Sequence, residues 1–319
     1  MASYMSRMMR LLRRIGYLLL ALVSCLSVTA SAQQPAPQPQ SQLVPVTPPV
    51  ATEQATPALW KVTRGDTTIW LFGTIHALPA GIDWFHGPVR DAFDGSQELV
   101  TEITETDPLE MQQLVLAHAA LPQGQTLRGM LTPKVKAAYE KQLTELKLPL
   151  QQFDGYEPWY AGIALSTLPL MRTGYDAQHG VEQVLDARAK LLGHPHGALE
   201  TAAYQIGLFD SLPLDAQKSY FAEVVDQLPT MTDQLGQMVV AWRKGDADGL
   251  AKLMNTEEDD PRLMEMLLIK RNKNWAEWVK QRLTRPGTVF VAVGAGHLAG
   301  QGSLQEQLAA QGITTQRVQ

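Results

Sequence analysis

Residues Thr67–Gly81 read T-T-I-W-L-F-G-T-I-H-A-L-P-A-G. The run Ile69–Phe72 is short, apolar and rich in β-branched and aromatic side chains, as a buried strand is. It stops at Gly73, and His76 follows three residues later. Near the other end of the chain Val289–Val293 repeats the arrangement, running into Gly294-Ala-Gly-His297. Ligands of open α/β sheets collect beyond the carboxyl ends of the strands, so two strands ending in G-x-x-H can bring two imidazoles to one pocket. A neutral His is a ligand for Zn, Mn or Co and equally a general base near pH 7. The bland alternative is two histidines that only close strand ends.

Around this pair the chain reads as α/β, a mixed central sheet with surrounding helices and a helical insertion in a single domain. Leu59–Thr63 and Thr67–Phe72 are strands around the polar turn Arg64-Gly65-Asp66. A helix over Pro88–Phe93 precedes the alternating stretch Glu98–Glu105, in which Leu99, Thr101 and Ile103 face one way and Val100, Glu102 and Thr104 the other. Pro108 to Leu170 has helical spacing, ending in the apolar Tyr156–Leu170. Gly180–Leu192 is a helix stopped by Gly193, and His196–Glu200 is a short strand running into Thr201, which caps a helix through Asp210. Residues 213–285 hold more helices, the last over Pro261–Leu283. Val289–Val293, a helix Ser303–Gln311 and an edge strand Thr314–Val318 complete the order.

The N-terminus is a targeting segment. Arg7, Arg10, Arg13 and Arg14 precede an apolar Ile15–Val28, and Ala30-Ser31-Ala32 is an A-x-A cleavage site. The apolar run falls short of the ~20 residues a bilayer span takes, so no transmembrane helix is expected in the mature protein. Cleavage after Ala32 sends the protein to the periplasm or outside the cell. Leu22-Val23-Ser24-Cys25 offers an alternative, a lipid anchor at Cys25, which is the only cysteine. Residues 1–32 are therefore read as leader, 33–58 as a disordered linker with seven prolines and no aromatic residue, and 59–319 as the folded domain. The formal charge of −5 becomes 23 basic against 32 acidic residues once the leader is gone. That balance carries no footprint for nucleic acid.

Four further positions join the histidines. Glu102 sits between apolar neighbours, where a carboxylate needs a partner, a metal or a raised pKa; a solvent-facing edge residue is the alternative. Glu200 stands where a strand gives way to a helix, and serving that helix's dipole would explain it equally. Arg271-Asn272 could bind a carboxylate or phosphate, against the default of a solvated basic face shared with Lys270 and Lys273. Glu182 falls in the first turn of its helix, where the dipole alone accounts for it. His194-Pro-His196 could bind metal, against the default of a surface loop after Gly193, and His86, His118 and His179 have no acidic or glycine context that singles them out. H-E-x-x-H, G-x-S-x-G and the phosphate-binding glycine motifs are missing.

Taken together, the chain resembles the TraB/GumN family, which includes the Tiki proteases and is related to erythromycin-esterase-like and ChaN-like proteins. The resemblance runs from Leu59 to Val318 and rests on L-F-G-T-I-H-A-L-P-A-G from Leu71, L-V-T-E-I from Leu99 and G-V-E-Q-V-L-D-A-R-A-K from Gly180. It continues in G-A-L-E-T-A-A-Y-Q-I-G-L-F-D-S-L-P from Gly197, K-R-N-K-N-W from Lys270 and V-A-V-G-A-G-H-L-A-G from Val291. It implies a site built from the paired histidines and acids, in the Tiki branch one for a divalent ion of the Mn or Co type used in peptide hydrolysis. His76 and His297 match the motif histidines, Glu102 the Glu after the next strand, and Glu200 with Arg271-Asn272 recurrent positions. Glu182 stands where many relatives have Asp.

The expected function is a metal-dependent hydrolase, a peptidase acting on a peptide or small-molecule substrate. His76, Glu102 and His297 would hold Mn, Co or Zn, with Glu200 as an alternative carboxylate. A remaining carboxylate would be the base, and Arg271 with Asn272 would steady the oxyanion. Two rivals use the same pocket: a non-enzymatic protein binding a small ligand or haem, and a metal-free esterase-type hydrolase with His76 as base.

Overall fold

The apolar run that ends at Gly73 lies in the middle of the sheet. In the computed structural model, residues 53–254 and 264–319 are described. In chain order the strands are β1 (Glu53–Gln54), β2 (Leu59–Arg64), β3 (Thr67–Thr74), β4 (Leu78–Pro79), β5 (Ile82–Asp83), β6 (Glu98–Thr101), β7 (Tyr175–Asp176), β8 (His196–Ala198), β9 (Gly287–Gly294) and β10 (Gln316–Arg317). Six of them form one mixed sheet in the order β10-β2-β3-β9-β6-β8. The β2–β3 hairpin turns at Gly65, whose φ of 54° suits a residue without Cβ. β10 closes the edge antiparallel to β2, and β3, β9, β6 and β8 run parallel.

Buried on both faces, the parallel strands read as continuous apolar runs instead of alternating ones. Alternate residues divide between two cores. Phe72, Leu99 and Phe290 face the larger one, under the helices Gly87–Asp94, Pro158–Arg172 and Leu214–Gln227 among others. Ile69, Leu71, Val100 and Val291 face the smaller one, covered by helices Lys270–Arg282 and Leu304–Ala310 through Trp275, Val279, Leu304 and Leu308. The architecture is the expected one: mixed α/β, with a long helical insertion between β6 and the last strands. Gly193 ends its helix at φ 70°, Thr201 accepts from the Tyr204 amide at 3.1 Å, and Ser303 caps the last helix.

Some boundaries differ. The strand expected over Glu98–Glu105 ends at Thr101, because the Thr101 hydroxyl donates to the Ile103 carbonyl at 2.7 Å and turns the chain. Glu102 therefore lies just past the strand, not within it. The final long helix is α-helical over Lys270–Arg282, after a π-helical stretch Glu265–Ile269; the Pro261–Leu263 part of that expectation lies outside the described residues. The leader, Cys25 and linker residues 33–52 also lie outside them. Residues 53–58 take part in the fold: β1 pairs with β5, Ala55 is buried, and the Thr56 amide donates to the Arg243 carbonyl at 2.7 Å. No described helix is long and apolar enough to cross a membrane.

Candidate functional site

Four neighbouring parallel strands each hand over a polar side chain just beyond their carboxyl ends: His76 after β3, His297 after β9, Glu102 after β6 and Glu200 after β8. The register that aligns Thr74 with Gly294 sets the two G-x-x-H loops side by side. Their contact depends on glycine, since a Cβ on Gly73 would lie 3.0 Å from both the Cα and Cβ of Ala295. The Gly73 carbonyl is held by the Trp242 indole N–H at 2.8 Å. Glu102 and Glu200 are tied by backbone, the Glu200 amide donating to the Glu102 carbonyl at 2.8 Å.

At the centre lies Arg271. It opens the Lys270–Arg282 helix and is only 2 % exposed, while the adjacent Asn272 is fully buried. The basic-face reading fails here: Lys270 and Lys273 point outward, whereas Arg271 and Asn272 turn under the strand ends. Arg271 Nε donates to both Glu200 oxygens at 3.0 and 3.1 Å. Its Nη2 donates to Glu102 Oε2 at 2.5 Å and Glu200 Oε2 at 2.8 Å. Nη1 donates to the Leu267 carbonyl at 3.1 Å and meets His297 Nε2 at 3.2 Å. The guanidinium also lies over the Trp275 ring, 4.8 Å from its centroid. A guanidinium has five N–H donors, and these contacts use all of them.

The remaining valences are filled as closely. Gln205 Nε2 bridges Glu102 and Glu200 at 3.0 Å each, and the Trp275 indole donates to Glu200 at 3.0 Å. Glu102 Oε1 accepts from the Gly294 amide at 2.8 Å. The Asn272 amide nitrogen donates to the Gly302 carbonyl at 2.8 Å, which turns Oδ1 toward His297 Nδ1 at 2.7 Å. His297 therefore carries its proton on Nδ1 and offers the Nε2 lone pair to Arg271.

Burial by itself would raise the Glu102 pKa, yet the Arg271 charge and the Gly294 amide hold it down to about 2. Burial and then the Arg271 charge push His297 down to about 3, so it is neutral at pH 7. Arg271 stays charged, its burial more than offset by the two carboxylates. His76 differs. Burial lowers its pKa, but the charge and hydrogen bond of Glu182, with Glu102 behind, outweigh that and raise it. His76 Nδ1 meets Glu182 Oε1 at 2.5 Å, and the His76 charge reaches both Glu102 and His297.

The six expected side chains thus gather beyond the strand ends. Arg271 spends its five N–H groups on Glu102, Glu200, His297 and the Leu267 carbonyl, and Asn272 holds His297 through Oδ1; the pair orients His297 and the two glutamates. Of the three residues expected to hold a metal, Glu102 accepts from Arg271, Gln205 and the Gly294 amide, His297 turns Nε2 to Arg271, and His76 pairs through Nδ1 with Glu182. Among the described residues no group of three or more His, Cys, Asp or Glu is placed to hold an ion.

Three contributors escape the sequence reading. Glu182 does sit in its helix's first turn, but it also pairs with His76; Gln205 and Trp275 lie on helices and reach the glutamates from there. The signal available for Glu182 is Gly180, where a Cβ would come within 2.1 Å of the His76 carbonyl oxygen. Other histidines hold the scaffold: His196 bridges Asp186 at 3.0 Å and Thr101 at 2.8 Å, and His118 pairs with Asp210 at 2.7 Å.

Two curated relatives cover most of the chain. The uncharacterized protein YbaP of Shigella flexneri is 25% identical over 261 residues, spanning 78% of this chain and 96% of the relative. The uncharacterized protein YbaP of Escherichia coli strain K12 is 25% identical over 260 residues, with the same coverage. No solved structure matches at comparable significance. The sequence model of the TraB/PrgY/gumN family matches residues 58–317, a span that takes in every strand end and helix start that meet around Arg271, and the chain belongs to that family.

Proposed function

We propose that the protein is a hydrolase of ester or amide bonds in peptides or small molecules, working outside the cytoplasm, in which His76 is the general base. The observation that carries this reading is the His76–Glu182 contact of 2.5 Å at the edge of the buried cluster. Glu182 fixes Nδ1, which leaves Nε2 to take the proton of a water as its oxygen attacks a carbonyl carbon. The same proton then passes to the leaving oxygen or nitrogen as the tetrahedral intermediate collapses. Because the surroundings raise the His76 pKa, the neutral, reactive form appears at higher pH than for a free imidazole.

The second reading is the metal-dependent peptidase that the family resemblance implies, with Mn, Co or Zn. The abutting G-x-x-H loops favour it; the engagement of Glu102 and His297 with Arg271 does not, and the ion would need that guanidinium displaced. The test is a panel of nitrophenyl esters and fluorogenic peptides with the domain from residue 53 onward, with and without a chelator. Chelator-resistant turnover that His76→Ala abolishes, and whose rise with pH moves to lower pH in Glu182→Gln, is expected. Turnover lost on chelation and restored by Mn or Co would replace the base mechanism with the metal one. A haemin Soret shift abolished by His297→Ala, with no turnover, would replace both with a binding protein.

A further inference from the structure

Two carboxylates and a neutral imidazole are a donor set that suits a divalent transition ion. Here they converge on a side chain of the protein itself. Glu102 and Glu200 reach the Arg271 guanidinium at 2.5 and 2.8 Å, and His297 turns its Nε2 lone pair to it at 3.2 Å. Nothing else at this point needs a cation, since the guanidinium answers both carboxylates and its remaining N–H groups face His297 and the Leu267 carbonyl. Its carbon stays fixed over Trp275, which also donates to Glu200. A second cation among these atoms would meet a buried positive charge that cannot leave by deprotonation.

We propose that Arg271 is a built-in cation occupying the place of a metal ion: the wild-type cluster of Glu102, Glu200 and His297 excludes divalent ions, and removing the guanidinium opens a metal site. The geometry behind this is independent of whether His76 acts as a base.

The experiment titrates Co²⁺ into the full chain, wild type and Arg271→Met, and follows visible d–d absorption and equilibrium dialysis. Wild type should show no saturable site. R271M should bind one equivalent at least ~100-fold more tightly, with tetrahedral-type bands that disappear when His297→Ala is added. Because R271M leaves two buried carboxylates without their partner, its folding is followed by circular dichroism, and Arg271→Ala is carried in parallel. Folding that requires added Co²⁺ supports the proposal as directly as binding does. One equivalent of Co²⁺ bound by wild type and lost with H297A would overturn it. So would R271M and R271A that neither bind Co²⁺ when folded nor refold in its presence.

Discussion

Replacing Glu102 with Gln tests the central ion pair with almost no change of shape. The carboxylate accepts from three donors: Arg271 Nη2, Gln205 Nε2 and the Gly294 amide. A glutamine offers one oxygen, so its own NH₂ must face at least one of those donors and leave it buried and unpaired, which costs about 1–3 kcal/mol. The charge contributes separately. With a folded pKa near 2 against 4.5 for the free group, ionised Glu102 stabilises the fold by about 3 kcal/mol at neutral pH. The two add to roughly 4–6 kcal/mol, or a fall in Tm on the order of 10 °C or more for a domain of this size. The sign with pH follows from a depressed carboxyl: the contribution is full above about 4.5 and disappears as pH falls toward 2. Urea denaturation of wild type and E102Q at pH 7 and again near pH 3.5 reads both quantities, and the gap should narrow by about 1.5 kcal/mol at the lower pH. A gap below about 1 kcal/mol at pH 7, or one that does not change with pH, would refute the account of Glu102 as a buried carboxylate held by Arg271.

His297, depressed to about 3, makes the fold acid-sensitive over a wider range. The unfolded chain binds a proton near pH 6.5 that the folded one refuses, so stability should drop by about 1.4 kcal/mol per pH unit as pH falls from 6.5 toward 3. The slope should be shallower by that amount in His297→Gln, read from urea midpoints in a pH series. His76 acts in the opposite sense: its raised pKa gives stability that is full below about 6.5 and is lost at higher pH, and Glu182→Ala should remove it. Gly180→Ala sets a methyl 2.1 Å from the His76 carbonyl and must move backbone. It should cost about 2 kcal/mol or more by thermal unfolding and reduce His76-dependent turnover, whereas Gly207→Ala, with open space around it, should do neither.

Much of the site was legible one residue at a time. A strand-like run, a glycine and a histidine appear twice, and their spacing alone places both histidines at strand ends. Glu102 drew attention as an acid among apolar residues, and it is buried, although the strand stops before it because of a hydroxyl-to-carbonyl bond that no periodicity encodes. Roles were harder to read. K-R-N-K looks like a solvated run because its outer lysines are one; that the arginine and asparagine between them turn inward depends on how the helix start packs under β9 and β6. Glu182 was explained by its helix's dipole, and the sequence held no sign of its partner 106 positions earlier beyond a glycine whose purpose is a close approach in space.

Local pattern determined the main strands and helices and their order, because helix and strand periods and turn residues act over a few positions, and the motifs strung along them carried the family. Tertiary structure alone decided what the cluster is. Two acids, an arginine and a histidine from four distant segments are compatible with an ion held between them or with a cation already supplied by the chain. Only the directions of the five guanidinium N–H bonds separate the two, and those are fixed by where the strand ends and the helix start meet.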